Sequence, residues 1–486
     1  MPTRLLLLAL AACLSVAGQP AAHQALPAPI SADTLKAHVS FLASDALQGR
    51  DTPSAGLDVA AEYIASQFRR YGLQAAGSDG YFQVAPYVMV RQPMDAFELT
   101  IESGGKTWKA PKDRVAASTA AAVSLSSVEV VKVLLPDENA ALPAKETVQG
   151  KAVVLVSGPA HSRAMLQRRQ ELLGLGPAIV VTAGFVGSSD GELRQAGAQS
   201  APRAPLVTTS DPEFTAFAQA LADGARLSAT IPAPVEEPVT LKNVIATLPG
   251  SDAQLKDSYV LLTAHYDHIG VSPRGDGDRI NNGANDDASG VATVLALAEA
   301  FSKLPQRPRR TLVFMTYFGE EKGLLGSRWY ASNPVVPLAS TVANLNFEHM
   351  GRTDDNEGSR AGRITTTGFD YTTLGDTLSA AGKLTGMEVW KHDRNSDSFF
   401  ARSDNQALAD AGVPAITVLA AWIFPDYHRP SDHWDRLDYD NMRNAVATGA
   451  IAVSRVADST EAPQWIESNP KVAKYLKAWR ELHGMH

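Results

Sequence analysis

His265-Tyr-Asp267-His-Ile-Gly270, a short Gly/Asp-rich loop, and Asn282-Gly-Ala-Asn-Asp286-Asp-Ala-Ser-Gly290 form the stretch on which the fold reading turns. An apolar, β-branched run from Tyr259 to Thr263 leads in, and an apolar-periodic segment from Ala288 to Leu304 leads out. That order predicts strand, loop, helix. Open α/β sheets gather ligand-binding groups beyond the carboxyl ends of their strands. The loop carries an imidazole and several carboxylates but no phosphate-cradling glycine signature, so it reads as half of a metal site.

Three more apolar runs repeat the pattern downstream. Arg310 to Phe318 ends in Gly319-Glu320-Glu321, and Thr341 to Phe347 ends in Glu348-His349-Met350-Gly351. Pro414 to Leu419 precedes a loop holding Tyr427-His428-Arg-Pro-Ser-Asp432-His433. Four predicted strands thus each deliver His, Asp or Glu just past the carboxyl end. Zinc accepts imidazole nitrogen and carboxylate oxygen, and a catalytic site keeps a position for water. Two metals ~3.5–4 Å apart need a bridging carboxylate plus separate terminal ligands. Asp286 is the natural bridge, with His265 and Glu348 for one ion and Glu321 and His428 for the other. Glu320 is left beside them, where a general base belongs.

These residues resemble the co-catalytic zinc aminopeptidases, a family that includes secreted bacterial leucyl-type aminopeptidases and glutamate carboxypeptidases. The resemblance rests on His265-x-Asp267, Asn285-Asp286-Asp-Ala-Ser-Gly290, Glu320-Glu321, Asn346-Phe-Glu348 and Tyr427-His428. It covers residues 240–455 closely and Ser31–Tyr87 more loosely, including the Leu-Gln-Gly-Arg50 element of the bacterial branch. It implies two Zn²⁺ held by His265, Asp286, Glu321, Glu348 and His428, with Asp286 bridging and Glu320 activating the water. It further implies that Asp267 orients the His265 ring, that Tyr427 donates to the developing oxyanion, and that Arg402 touches substrate. One departure stands out: Glu348 occupies a position that is often Asp in the family. His268, His349, His392 and His433 read as packing or hydrogen-bonding histidines, Asp287 as a turn residue, and Ser289 and Gly290 as a helix start.

With 486 residues, 45% apolar and 20% charged, the chain is globular and longer than one ordinary core. A net charge of -8 argues against nucleic acid and offers no polybasic membrane patch. Arg4 followed by the apolar Leu5–Val16 reads as an export signal within residues 1–24, too short to span a membrane. Cleavage is expected after Ala17 or Ala22. Cys13, the only cysteine, makes Leu10-Ala-Ala-Cys13 resemble a lipobox, so a lipid anchor is the alternative. Either way the folded body has no disulfide.

Helical spacing recurs over Ser31–Gln48 and Gly56–Tyr71, with Ser31 as cap and Gly72 as stop. Tyr81–Ile101 alternates like antiparallel strands at an edge of the main sheet. Short β runs separated by helical stretches from about Ser126 resemble a protease-associated insert, especially at Gly150-Lys-Ala-Val-Val and Gly176-Pro-Ala-Ile-Val-Val. The expected division is 25–125 and 236–486 for the peptidase part and 126–235 for the insert, with Pro232–Pro238 as linker. The expected fold is α/β, a mostly parallel sheet with helices on both faces. The expected function is an exported two-zinc aminopeptidase acting on peptides. A carboxypeptidase or dipeptidase, a glutaminyl-cyclase-type acyltransferase and a silent receptor-like binding protein are the alternatives. No transmembrane segment is expected after signal removal.

Overall fold

The computed structural model describes residues 29–157, 163–184, 191–198 and 204–485. The expected export signal, Cys13 and both expected cleavage positions lie outside these residues. The expected α/β architecture is present. Seven strands carry the main sheet: β1 (Phe82–Arg91), β2 (Val235–Leu248), β3 (Tyr259–His265), β4 (Thr311–Tyr317), β5 (Thr341–Phe347), β6 (Arg363–Thr366) and β7 (Ala415–Leu419). They lie in the order β6-β7-β5-β3-β4-β2-β1, with Glu388–Val389 and Glu192–Gln195 at the two edges. The central pairs β3–β4, β3–β5 and β5–β7 are parallel, while β1, β2 and β6 join antiparallel.

The central strands read as unbroken apolar runs because both faces are covered, as in parallel sheets generally. Val260, Leu262 and Ala264 face one core and Leu261 the other; on β4, Leu312 and Phe314 alternate with Val313 and Met315 in the same way. The first core packs under α1 (Ala32–Leu42), α2 (Ala55–Arg70), α3 (Ser289–Ser302), α4 (Leu374–Thr385) and α5 (Tyr439–Asp458). The opposite face is closed by Tyr330, Trp465 and Tyr475. Ser31 caps α1 through the amide of Thr34, and Gly72, at φ +73°, follows the end of α2 in a left-handed conformation. Among the described residues, no helix is long and apolar enough to cross a membrane.

Eight strands form a second sheet with its own apolar layers on both faces. Its strands include Val123–Leu135, Ala152–Ser157, Ile179–Ala183 and Leu206–Thr209, where short β runs are expected. It also takes in Glu98–Ser103, which pairs with Arg226–Ile231. The edge expected over Tyr81–Ile101 therefore splits: β1 joins the main sheet and the following strand joins the second. Pro93 lies at the break, where its missing N–H ends a ladder. The stretch expected as linker differs too. From Val235 onward it is strand, with Pro238 opposite Val88. Only residues 244–248 of β2 also pair with β4, so Pro238 lacks a ladder partner on its other side and its absent N–H costs nothing there.

Candidate metal centre

The four parallel-run strands end beside one another, and their order puts the residues beyond them around one pocket. His265 is the last residue of β3; Glu320 and Glu321 follow β4; Glu348 follows β5; His428 lies in the loop after β7. Asp286 enters from the loop before α3. Its two carboxylate oxygens face different neighbours. Oδ1 lies 3.2 Å from His265 Nε2, which is itself 3.9 Å from Glu348 Oε1. Oδ2 lies 3.1 Å from His428 Nε2, which is 3.3 Å from Glu321 Oε1. All five residues expected as ligands are thus brought together, split into two groups by Asp286.

Two histidines that read as packing residues belong here as well. His268 Nδ1 is 2.9 Å from Glu321 Oε1, and His349 Nε2 is 3.6 Å from Asp286 Oδ1. The chain turns inward between β3 and Gly270, so the residue three beyond His265 points back at the same centre. His349 adopts φ +49°, which swings its ring onto the pocket wall edge-on to Tyr427. The spacing His265-x-x-His268 was the available signal for the first. His392 and His433 lie elsewhere, paired with Glu357 and Asp278.

Asp267 is buried, with Oδ1 3.5 Å from His265 Nδ1 and 3.1 Å from the Glu320 amide N–H that donates to it. The carboxylate thereby positions Glu320, while the His265 ring donates from Nδ1 to the Asp267 backbone carbonyl at 3.2 Å. Glu348 is held from behind: the Ser403 hydroxyl and Asn346 Nδ2 donate to it, and Asn346 Oδ1 accepts from Thr263 at 2.8 Å. Asp432 Oδ2 accepts the amides of Asn285 at 3.0 Å and Asp286 at 3.2 Å. Asn285 Oδ1 accepts the amides of Gly351 and Arg352, tying the Asp286 loop to the Glu348 loop. Asp432, Asn285 and Ser403 were not among the expected site residues, since nothing in their spacing says which loops meet.

Arg50 explains the Leu-Gln-Gly-Arg50 element. Its guanidinium is buried and donates to the carbonyls of Tyr266 at 2.8 Å, Asn282 at 2.9 Å, Gly283 at 3.0 Å and Leu42. It clips the end of α1 to both ends of the site loop. Burial pulls its pKa down to about 10 against the attraction of Asp267, Asp287, Asp286 and Asp432, so it stays charged at neutral pH.

The electrostatics follow from crowding of carboxylates and imidazoles out of water. Burial raises Asp286, but His265, His349 and His428 outweigh it and hold that carboxylate well below its usual range. Burial lowers His428, yet Asp286 and Glu321 hold it up at about 10. Glu320 goes the other way: burial, with Glu348 and Glu321 nearby, pushes it well above an ordinary glutamate despite His265. Burial likewise raises the Tyr427 phenol, with help from Asp286 and Glu321.

The donor set fits a divalent metal. Glu321 Oε1, His428 Nε2 and both ring nitrogens of His268 are buried without a hydrogen-bond partner, though they lie within ligand distance of one another. Such atoms are costly unless something satisfies them. Above them lies a small pocket of ≈ 50 Å³ walled by Thr367, Phe399, Arg402, Leu419, Trp422 and Tyr427. Tyr427 stacks on His428 at 3.9 Å between ring centroids, and Arg402 lies over Phe399 at 4.3 Å. Arg402 is not paired with Asp404, which is fully buried and raised to about 7 by that burial.

Part of the chain is similar to known peptidases. Residues 243–452 match the peptidase family M28. A probable zinc metalloprotease from Pyrenophora teres f. teres is 37% identical over 125 residues, 25% of this chain and 25% of that protein. A probable glutamate carboxypeptidase from Arabidopsis thaliana is 29% identical over 202 residues, 40% of this chain and 27% of that protein. The chain thus spans about a quarter of the length of these curated relatives. Among solved structures, an aminopeptidase from Aneurinibacillus sp. strain AM-1 superimposes with TM-score 0.61 at 23% identity, over 89% of this chain and 96% of that one. A zinc aminopeptidase from Bacillus subtilis gives 0.55 at 18% identity, over 89% and 97%. These two share the fold.

Proposed function

We propose, from the premise that residues 243–452 are a peptidase family M28 segment, that this protein is a zinc-dependent exopeptidase with two metals bridged by Asp286. The observation that carries the reading is Asp286 itself, whose two oxygens face different imidazoles, His265 and His428, each of which in turn lies beside a different glutamate. His265 and Glu348 would hold one ion, Glu321 and His428 the other. Zinc bound there supplies Lewis-acid polarisation of a carbonyl and lowers the pKa of a water toward ~7.

The chain's own groups do the rest. Glu320 lines the pocket with its carboxyl raised by burial, so it takes a proton from the attacking water and delivers it to the leaving amine. Asp267 holds its backbone in place and fixes the His265 ring. Tyr427 keeps its phenolic proton, which burial and the nearby carboxylates make hard to lose, and through it donates a hydrogen bond to the developing oxyanion. Glu320 and Glu348 both line the pocket, and Arg402 is its one Lys or Arg among the described residues. Aminopeptidase action is the reading taken, with carboxypeptidase action as the alternative that free-amine and N-blocked substrates separate. The apolar wall of Phe399, Leu419 and Trp422 suits an apolar side chain.

Export is part of the reading, on the charged and apolar N-terminal run, with Cys13 as a lipid-anchor alternative. The second sheet is assigned as a protease-associated insert on its Gly150 and Gly176 motifs. Hydrolysis of amino-acyl anilides, with N-blocked analogues alongside and metal counted in the purified protein, tests the catalytic claim. Turnover of free-amine substrates that chelation abolishes is expected. Preference for N-blocked, C-terminally free peptides would replace it with carboxypeptidase action, and cyclisation of N-terminal glutamine with one bound ion would replace it with acyl transfer.

A further inference from the structure

The geometry points to His268 as a fourth protein ligand of the ion held by Asp286, Glu321 and His428, which makes the two metal positions unequal. This rests on the two-metal reading above. The four donor atoms, one from each residue, all lie within 4.8 Å of one another, and theirs is the only such group among the described residues. Ligands at zinc distances in a tetrahedral site are separated by about 3.4 Å. Here His268 Nδ1 is 2.9 Å from Glu321 Oε1 and 3.9 Å from Asp286 Oδ2, while His428 Nε2 is 3.3 Å and 3.1 Å from the same oxygens. The separations bracket the tetrahedral edge.

The bland alternative is that His268 only donates a hydrogen bond to Glu321. The contact is short, but it lacks hydrogen-bond alignment, and both ring nitrogens and Glu321 Oε1 are left without a partner. The ring is fully buried and cannot turn to water. Its back lies against Gly283, where a Cβ would come within 2.6 Å of His268 Cγ, so the small residue lets the ring seat where it does. A ring locked in place with an unsatisfied nitrogen aimed at three other metal-binding atoms has the arrangement of a ligand.

The consequence is a division of labour between the positions. A zinc site with four protein ligands is closed, whereas three ligands leave a place for water. The position of His268, Asp286, Glu321 and His428 is closed by the protein. At the other, His265, Asp286 and Glu348 leave room on the pocket side. His349 near that position faces the pocket wall against Tyr427 and Phe424 and belongs with the substrate surface. One ion is then held tightly, and the other exchanges more readily.

Competitive chelator titration of zinc into the metal-free full chain tests this, using wild type, His268→Asn and His268→Ala. Asparagine keeps an N–H donor near the place of Nδ1 but removes the imidazole. Wild type should bind two ions of distinct affinity, and both variants should weaken the tighter one by about 10²-fold or more. Wild-type affinity in His268→Asn with loss only in His268→Ala would reduce His268 to a hydrogen-bond donor. Wild-type affinity in both would remove it from the site. X-ray absorption on zinc-loaded wild type needs no variant: three imidazoles over two ions are expected, and two over two would overturn the assignment. A single bound ion in wild type would sink the two-metal reading, while the variants would still report on that ion's ligands.

Discussion

Replacing Arg50 with methionine should destabilise the protein by about 4 kcal/mol without touching a metal ligand. The side chain keeps an unbranched apolar stem but loses every donor. The carbonyls of Tyr266, Asn282 and Leu42 then lose the guanidinium partner, while Gly283 retains the Ala288 amide at 3.1 Å. Each buried carbonyl left unpaired costs about 1–3 kcal/mol, three of them about 3–9. The variant is relieved of the cost of burying a cation, which trims the sum toward the lower half of that range. Asp267, Asp286, Asp287 and Asp432 also lose a compensating charge, which pushes the other way. A loss of about 4 kcal/mol is roughly 10³ in the folded-to-unfolded ratio and about 4 °C in Tm for a body of this size. Urea unfolding of the metal-free protein by tryptophan fluorescence, with equal m-values as a check, reads the difference. Arg50→Lys should recover only part of it, because one ammonium cannot reach four carbonyls in three segments. A change under 1 kcal/mol for Arg50→Met would refute the claim that this clip holds α1 to the site loop.

Glu320→Gln should lower kcat at least ~10²-fold with KM and metal content near wild type, because the amide cannot take the proton; anilide kinetics with elemental analysis would show otherwise if a metal were lost instead. Glu321→Gln should weaken one ion, and unchanged metal content would reverse the roles of the two glutamates. Ser403→Ala removes a donor from Glu348 and should cut kcat/KM by about 10–100-fold with a parallel loss of zinc affinity, read by the same titration. His38 is buried between Tyr63 and Tyr71, and burial, with Arg70, lowers it to about 4 from 6.5. Its folded pKa lies below its unfolded one, so stability is intact above pH 6.5 and is lost as pH falls toward 4, by about 3 kcal/mol. His38→Gln should remove that part of the acid loss; equal slopes between pH 7 and 4.5 in metal-free wild type and variant would contradict it.

The strand ends were legible in the sequence because each one combines two local signals, an apolar β-branched run and a polar residue directly after it. A parallel sheet buried on both faces has to look like that, and its carboxyl ends have to lie together. His265, Asp286, Glu320, Glu321, Glu348 and His428 could therefore be grouped without coordinates. The second sheet was legible in part, through its short β runs, but its first strands were not separable from β1 because alternation looks the same in either sheet. Pro238 reads as a break in the sequence, and only the one-sided pairing of its strand shows why it is tolerated. Tertiary structure alone decided which loops touch. Arg50 meets Asn282 across 232 positions and Asp432 meets Asn285 across 147, and no periodicity reaches that far. It also decided how Asp286 presents its oxygens and that His268 turns inward while His433 does not. Side-chain direction in a loop depends on what the rest of the chain packs against it, and a pattern of residue types carries no record of that.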